Sequence, residues 1–283
     1  MPKDLTNPFD PKRFEKQIAF DETMRGLLIA GVAMAVLMTL LMPGWAVVSG
    51  LIAPSVVLGL WLWLSVSTAR VARSLSTFGE LMANQPDQAE NALNDMLNVR
   101  PVMRWARLLS YHRLAGLRHL QRRFAETAAI CLCLLSQPLK GPAAATRPHL
   151  LLMLAEAQLE VGNLPGAYQA LAHLQQTKLG LAQSLQRLAI QTRYEITIGA
   201  NEAVLHRARA KVELAELMPA KHCAVMHAML ATAAQRAGQS RQSDWLWERT
   251  RLLAGPELMK ELKQGGFGVA VVEPDTVSGD APA

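Results

Sequence analysis

The 283-residue sequence predicts an all-α protein: a two-helix transmembrane hairpin followed by an α-solenoid of about five helix pairs. Three observations predict it. Two long uncharged apolar runs follow one another near the N-terminus. The rest of the chain is dense in Leu, Ala, Gln and Arg and lacks the alternating β-branched runs that mark strands. Turn-forming positions also recur at a nearly fixed interval. Composition sets the outer bounds: 51% apolar residues, 18% charged residues and a mean hydropathy of +0.12 exclude a disordered chain. The cysteines are three, with Cys131 and Cys133 in one apolar run and Cys223 apart, which excludes a disulfide framework.

Residues 1–25 read as a cytoplasmic flank and residues 26–66 as the hairpin. The first apolar run, Gly26 to Met42, holds no charge, and the second, Trp45 to Val66, holds none either. As helices they span about 25 Å and over about 30 Å, near the hydrocarbon thickness of a bilayer. Pro43-Gly44 is too short a link for anything but antiparallel helices. Small residues at four-residue spacing, Gly31 with Ala35 and Ser55 with Gly59, would let the two backbones approach closely. Trp45, Trp61 and Trp63 stand near the span ends, where indoles favour the interface. Lys3, Lys12, Arg13, Lys16 and Arg25 precede the first run, Arg70 and Arg73 follow the second, and the turn carries no cation. Positive-inside then places both termini in the cytoplasm of an integral inner-membrane protein. No ionisable residue falls between 26 and 69, which excludes an ion or proton pathway and leaves an anchor.

Residues 67–263 read as the helical repeat domain. Turn positions fall at Asn84, Arg123, Gly162, Gly199 and Gly238, separated by 39, 39, 37 and 39 residues. Seven residues before each stands a small or slender side chain: Thr77, Gly116, Ala155, Thr192 and Ala231. Five after each stand Ala89, Ala128, Ala167, Val204 and Ser243, and nine after stand Leu93, Leu132, Leu171, Ala208 and Trp247. Such a pattern sets small residues at the closest approach of two paired helices, with a larger residue one turn on filling the space toward the next pair. One pair cannot bury its apolar face alone, whereas a stack can.

This pattern resembles the tetratricopeptide repeat (TPR) family. The third unit carries the resemblance best: Leu151, Leu154 and Ala155, then Gly162-Asn163, then Ala167, Leu171 and Leu174. Pro101 closes the first unit where the family often has proline. The period is longer than the family's 34, Lys211 occupies an expected apolar position in the fourth unit, and Ser243 and Thr250 do so in the fifth. The resemblance implies an inner surface that includes Arg113, Leu117, Glu156, Arg193 and Arg236, a mix suited to an extended or helical peptide with acidic residues, or simply to keeping that surface soluble. The Lys/Asn clamp with which family members grip a terminal carboxylate is not found. Residues 264–283 read as a disordered tail of net charge −3.

The net charge of +6 is uneven, with an excess of nine positives in the helical region. No acid lies between Asp95 and Glu126, yet seven arginines do. On a helix Arg104, Arg107, Arg118 and Arg122 share a sector about 60° wide, with Tyr111 among them. That stripe suits anionic lipid headgroups or an acidic partner segment, and a solvated helix face is the plain alternative. Nucleic acid is not expected, since no nucleic-acid module accompanies the arginines. Cys-x-Cys on one helix directs its thiols about 160° apart, which argues for core cysteines and against a metal. Trp245 and Trp247 read as packing for the last unit. No nucleophile elbow, phosphate loop or dinucleotide motif is present.

The expected function is a membrane-anchored TPR-like adaptor that binds a protein partner at the cytoplasmic face, with no cofactor and no catalysis. A layout of two N-terminal spans followed by TPR units is also similar to bacterial membrane proteins associated with haem synthesis. That likeness implies an accessory factor of a membrane-associated biosynthetic pathway as the alternative.

Overall fold

The computed structural model describes residues 9–41, 86–98 and 104–264, with isolated helical positions at Ser55, Gly59, Leu62, Val66, Ala69 and Phe78. Every regular element among them is helical. Two compact units divide the chain, residues 1–147 and 148–283.

The first unit opens with α1, Pro11–Leu41, and here the predicted hairpin is corrected. Among the described residues no helix is long and apolar enough to cross a membrane. Rather than a polar arm followed by an apolar rod, α1 is one helix of 31 residues whose first half holds Lys12, Arg13, Glu15, Lys16, Asp21, Glu22 and Arg25. Among the described residues nothing lies within 4 Å of where a Cβ would stand on Gly31 or on Gly59. The run from Trp45 to Val66 otherwise lies outside the described residues, as do the first unit's turn at Asn84, its Thr77 and Pro101, and the tail after Gln264.

After α2, Pro86–Asn98, comes α3, Arg104–Leu120, followed by α4, Phe124–Leu135, and a 3-10 turn at Gly141–Thr146. The hub is α3, which packs against α1, α2, α4 and the 3-10 turn. Burial therefore reaches most of its circumference, from Ala106 and Leu108 through Tyr111 and Leu114 to Leu117.

The second unit runs α5 (Arg147–Glu160), α6 (Leu164–Gln175), α7 (Leu181–Thr197), α8 (Asn201–Leu205), α9 (Ala208–Ala215), α10 (Ala220–Arg236), α11 (Ser240–Leu253) and α12 (Pro256–Lys263). Its hub is α10, which touches α7, α8, α9, α11 and α12. The α10 sequence is rich in Ala and Met, both good helix formers. Its side chains pack with Ala189, Val204, Val212, Leu246 and Leu262 in one apolar core.

One turn design recurs four times. Arg122, Gly162, Gly199 and Gly238 all have left-handed backbone angles, with φ of 58°, 80°, 79° and 74°. At each, the left-handed residue's N–H donates three residues back, and the next N–H donates five back: Asn163 to Gln158 at 2.8 Å, Ala200 to Glu195 at 2.8 Å, Gln239 to Ala234 at 2.9 Å and Arg123 to Arg118 at 2.9 Å. This is the Schellman closure, which satisfies carbonyls orphaned at a helix end and usually needs glycine. Three predicted turn glycines fall on the residue itself. In the unit without glycine the left-handed residue is Arg122 and not Arg123, so that unit's register moves by one. Thr127 and Cys131 are consequently buried, while Leu132, expected inside, is 51% exposed.

With the register corrected, the residues seven before each turn, Ala115, Ala155, Thr192 and Ala231, are all fully buried. So are those five after, Thr127, Ala167 and Val204, with Ser243 at 4%. The α5–α6 turn carries an added device. The Asn163 side chain accepts from the Gly166 N–H at 3.2 Å, an N-cap that supplies one of the acceptors a helix start lacks. A Cβ on Gly166 would sit 2.7 Å from Asn163 Nδ2 and 3.0 Å from Gln158 Cδ, so a larger residue there would have to displace the capping side chain.

The fourth pair departs from the others as Lys211 had signalled. Its second helix breaks between α8 and α9, with Arg207 left-handed at φ 57°. Lys211 Nζ donates to the Val204 carbonyl at 2.8 Å and the Ala203 carbonyl at 3.3 Å, and meets Glu195 at 3.4 Å. A cation at an apolar position thus serves the carbonyls that the break leaves open.

Candidate protein-interaction surface

The arginine sector of α3 does not form a free basic stripe. Its first half is covered by the start of α1. Phe14 lies edge-on to Tyr111 at 4.6 Å between ring centroids, and Phe9 joins at 6.3 Å. The Tyr111 hydroxyl donates to Gln17, and Arg104 meets Glu22 at 3.4 Å and Gln137 at 2.6 Å. Arg107 is 5% exposed and Arg118 only 2%. The Arg118 guanidinium reaches Glu90 of α2 at 3.2 Å and Glu126 of α4 at 3.4 Å, and donates to Gln121 at 2.6 Å. Gln121 in turn donates to Glu90 at 2.9 Å, and Arg123 also holds Glu126. The physical reason for the correction is desolvation. A buried guanidinium needs a carboxylate, and three helices meet here to supply two. Only Arg122 of the four is exposed. The partners that sequence reasoning missed, Glu22, Glu90 and Glu126, all lie outside the acid-free window, and of the three only Glu126 borders it.

The five residues expected on an inner surface are also distributed otherwise. Arg113, half-buried, and Leu117, fully buried, belong to the first unit. Leu117 is core and offers nothing to a partner. In the second unit Glu156 is 2% exposed. Arg193 is ion-paired to Glu160 at 2.7 Å. Arg236 is exposed at the end of α10 and donates to the Ile196 carbonyl at 3.3 Å.

Next to Arg236 the second unit offers a concave surface. An open hollow of about 600 Å3 is lined by Gln235 of α10, by Asp244, Trp247, Glu248 and Arg251 of α11, and by Lys263 of α12. The four α11 residues share one face through three- and four-residue spacing. Trp247 is half-buried, with its body packed on the apolar core and the rest facing the hollow. Two carboxylates, two cations and one indole thus face a single hollow. Among the described residues none of the four charged groups is ion-paired. A partner segment carrying both signs of charge would find complements there, with an aromatic plate beneath.

A second feature is the far half of α1. Leu27, Ile29, Met34 and Leu37 are 52–62% exposed. At 100° per residue these four directions span an arc of about 160°, broader than the stripe of roughly 100° that a helix turns toward a protein core.

Nucleophilic chemistry finds no support in the thiols. Burial pushes all three above the ordinary thiol value, assisted at Cys133 by Glu15 and at Cys223 by Glu216, with Arg249 opposing at Cys223. They are therefore held as neutral thiols, which are poor nucleophiles. Among the described residues no three His, Cys, Asp or Glu side chains are grouped to hold a metal ion. Compared with models of known protein families, with curated proteins and with solved structures, the chain matches none.

Proposed function

We propose that this chain is a TPR-like helical scaffold that binds a protein partner by contact alone, at a membrane surface. The observation that carries the binding reading is the hollow of the second unit, where Asp244, Glu248, Arg251 and Lys263 face one indole without pairing to one another. Exposed charge is ordinary, but unpaired charge of both signs gathered around a half-buried tryptophan is the composition of a binding centre with a polar rim. Support for the TPR-like reading comes from the four Schellman turns at 37- to 40-residue spacing and from the buried small residues seven before and five after each. The fit is to paired helices whose small residues meet, repeated along the chain.

Membrane association rests on a different observation, the wide apolar exposure of α1 from Leu27 to Leu37. Exposed apolar side chains over so broad an arc call for an apolar environment along that whole face. The reading involves contact with a membrane and no crossing of it.

A photo-crosslinking residue in place of Arg251, compared with one in place of Arg209, tests the binding site. Arg209 is 94% exposed on α9 and remote from the hollow's lining. Discrete protein adducts at 251, lost on adding Trp247→Ala, are expected. Equal adduct patterns at the two positions would remove the site. For the membrane, flotation of the full chain with vesicles should fall several-fold on Leu27→Glu with Leu37→Glu, and unchanged flotation would refute that half.

A further inference from the structure

The second unit buries an ionisable ring in the middle of its hub helix. His227 stands midway along α10 and is fully buried. Its Nδ1 faces the Cys223 Sγ one turn earlier at 4.0 Å. Its Nε2 is buried with no hydrogen-bond partner among the described residues. A buried imidazole with one open nitrogen is tolerable only while neutral, since a cation there would have no acceptor on that side.

Two charged groups act on the ring: Arg249 of α11 and Glu216, which caps the end of α9. These two are ion-paired to each other, and the link ties α11 to the end of α9. Arg249 also lies over the Trp245 ring at 5.0 Å. Among the described residues, the charged groups that act on the imidazole are Arg249 and Glu216, and none comes from α7, α8 or α12, which also pack on α10. We propose that His227, beneath the Arg249–Glu216 pair, is an acid-sensitive latch holding α11 and α12 against α10.

The latch works through competition. A proton on His227 places a second cation beside Arg249, a repulsion that the attraction of Glu216 only partly offsets. It also charges a ring shut away from water. Loosening α11 and α12 relieves both strains at once by letting water reach the ring. The contacts given up are those of Leu246 on α11 and Leu262 on α12 with the α10 core. The hollow lined by α10, α11 and α12 would open in the same motion. Release of a bound partner in acid would follow, and that consequence alone rests on the function proposed above.

The direction follows from the ring's environment. Burial first, then Arg249, hold the imidazole below its ordinary value, against the smaller opposing pull of Glu216. The opened form titrates near 6.5 and the closed form lower. Opening therefore takes up a proton in that window. Closure is complete above about pH 6.5 and weakens as pH falls, by up to about tenfold per pH unit, until the lower folded value is passed.

Hydrogen–deuterium exchange of the full chain, without any partner, tests the latch apart from the proposed function. Between pH 7.5 and 5, after correction for intrinsic rates, amides of residues 240–263 should lose protection by up to about tenfold per pH unit below about 6.5. His227→Gln should flatten that dependence, and Arg249→Gln should make it shallower. If His227→Gln fails to fold, NMR titration of the wild-type imidazoles decides: the His227 ring should stay neutral through pH 6.5. An undiminished pH dependence in His227→Gln, or a His227 ring that titrates at its ordinary value while α11 stays protected, would overturn the proposal.

Discussion

The two units solve the same problem with opposite materials. Each is organised around one helix of 17 residues, α3 in the first and α10 in the second. Around α3 the buried set includes Arg107, His112, Arg118 and His119, and the three-helix junction is closed by Arg118 between Glu90 and Glu126. Around α10 the buried set is Ala, Met, Val and Leu with only Cys223 and His227 besides, and helices close in because Ala231 and Ala234 leave room. A charged hub is selective about its neighbours, since each partner must supply an acceptor. An alanine hub depends on shape and distance instead. The difference teaches that burial alone does not say what holds a hub helix in place.

The largest expected effect breaks the charged hub. Arg118→Ala leaves Glu90 without a cation and Glu126 with Arg123 alone, and should destabilise the first unit by about 3–5 kcal/mol. Arg118→Met combined with Glu90→Gln and Glu126→Gln should recover most of that, because the one charge left without its partner, Arg123, is partly exposed to water. Urea melts of the single and triple variants check this, and equal losses in both would mean that packing, rather than charge, is what matters at this junction.

A smaller effect tests the alanine hub. Ala231→Leu inserts three carbons at a closest approach and should cost about 1–3 kcal/mol in the second unit. The same unfolding measurement, followed by tryptophan emission from Trp245 and Trp247, reads it. A change below about 0.5 kcal/mol would show that α10 and α11 have slack between them.

The smallest effect compares the turns. Gly162→Ala at φ 80° should cost about 1 kcal/mol, whereas Arg122→Gly at φ 58° should gain a comparable amount. Thermal midpoints of the two variants should move in opposite directions, and shifts of the same sign would contradict the left-handed assignment at Arg122.

Most of the helical class and most of the turn spacing could be read directly from residues. Glycine marks a left-handed position by chemistry, so Gly162, Gly199 and Gly238 were placed without error. At Arg122-Arg123 the same geometry falls on a residue type that does not advertise it, and the register slipped by one. The small residues around each turn were legible because their size is the property that matters. The orientation of the arginine sector was not, because a helix face does not say what covers it. One of the two acids that answer Arg118 lies 28 residues away and the one that answers Arg104 lies 82 away. Local periodicity carries no information over such distances. The transmembrane expectation failed for a related reason. The absence of charge after Gly26 was plain, but not that the charged stretch before it continues in the same helix and packs Phe14 and Ile18 into the first unit. Trp247 was read as packing, which is half of what it does. Its other half depends on α12, whose Lys263 closes the hollow.

One consequence of α1 concerns direction. Its 31 residues form a single rod about 46 Å long. The near end is clamped by Phe14, Tyr111 and Gln17, while the far end presents Leu27 to Leu37. A slack cord would let the first unit swivel at will. A stiff shaft does not, so whatever medium receives its far end also dictates the heading of α3 and everything bolted to it.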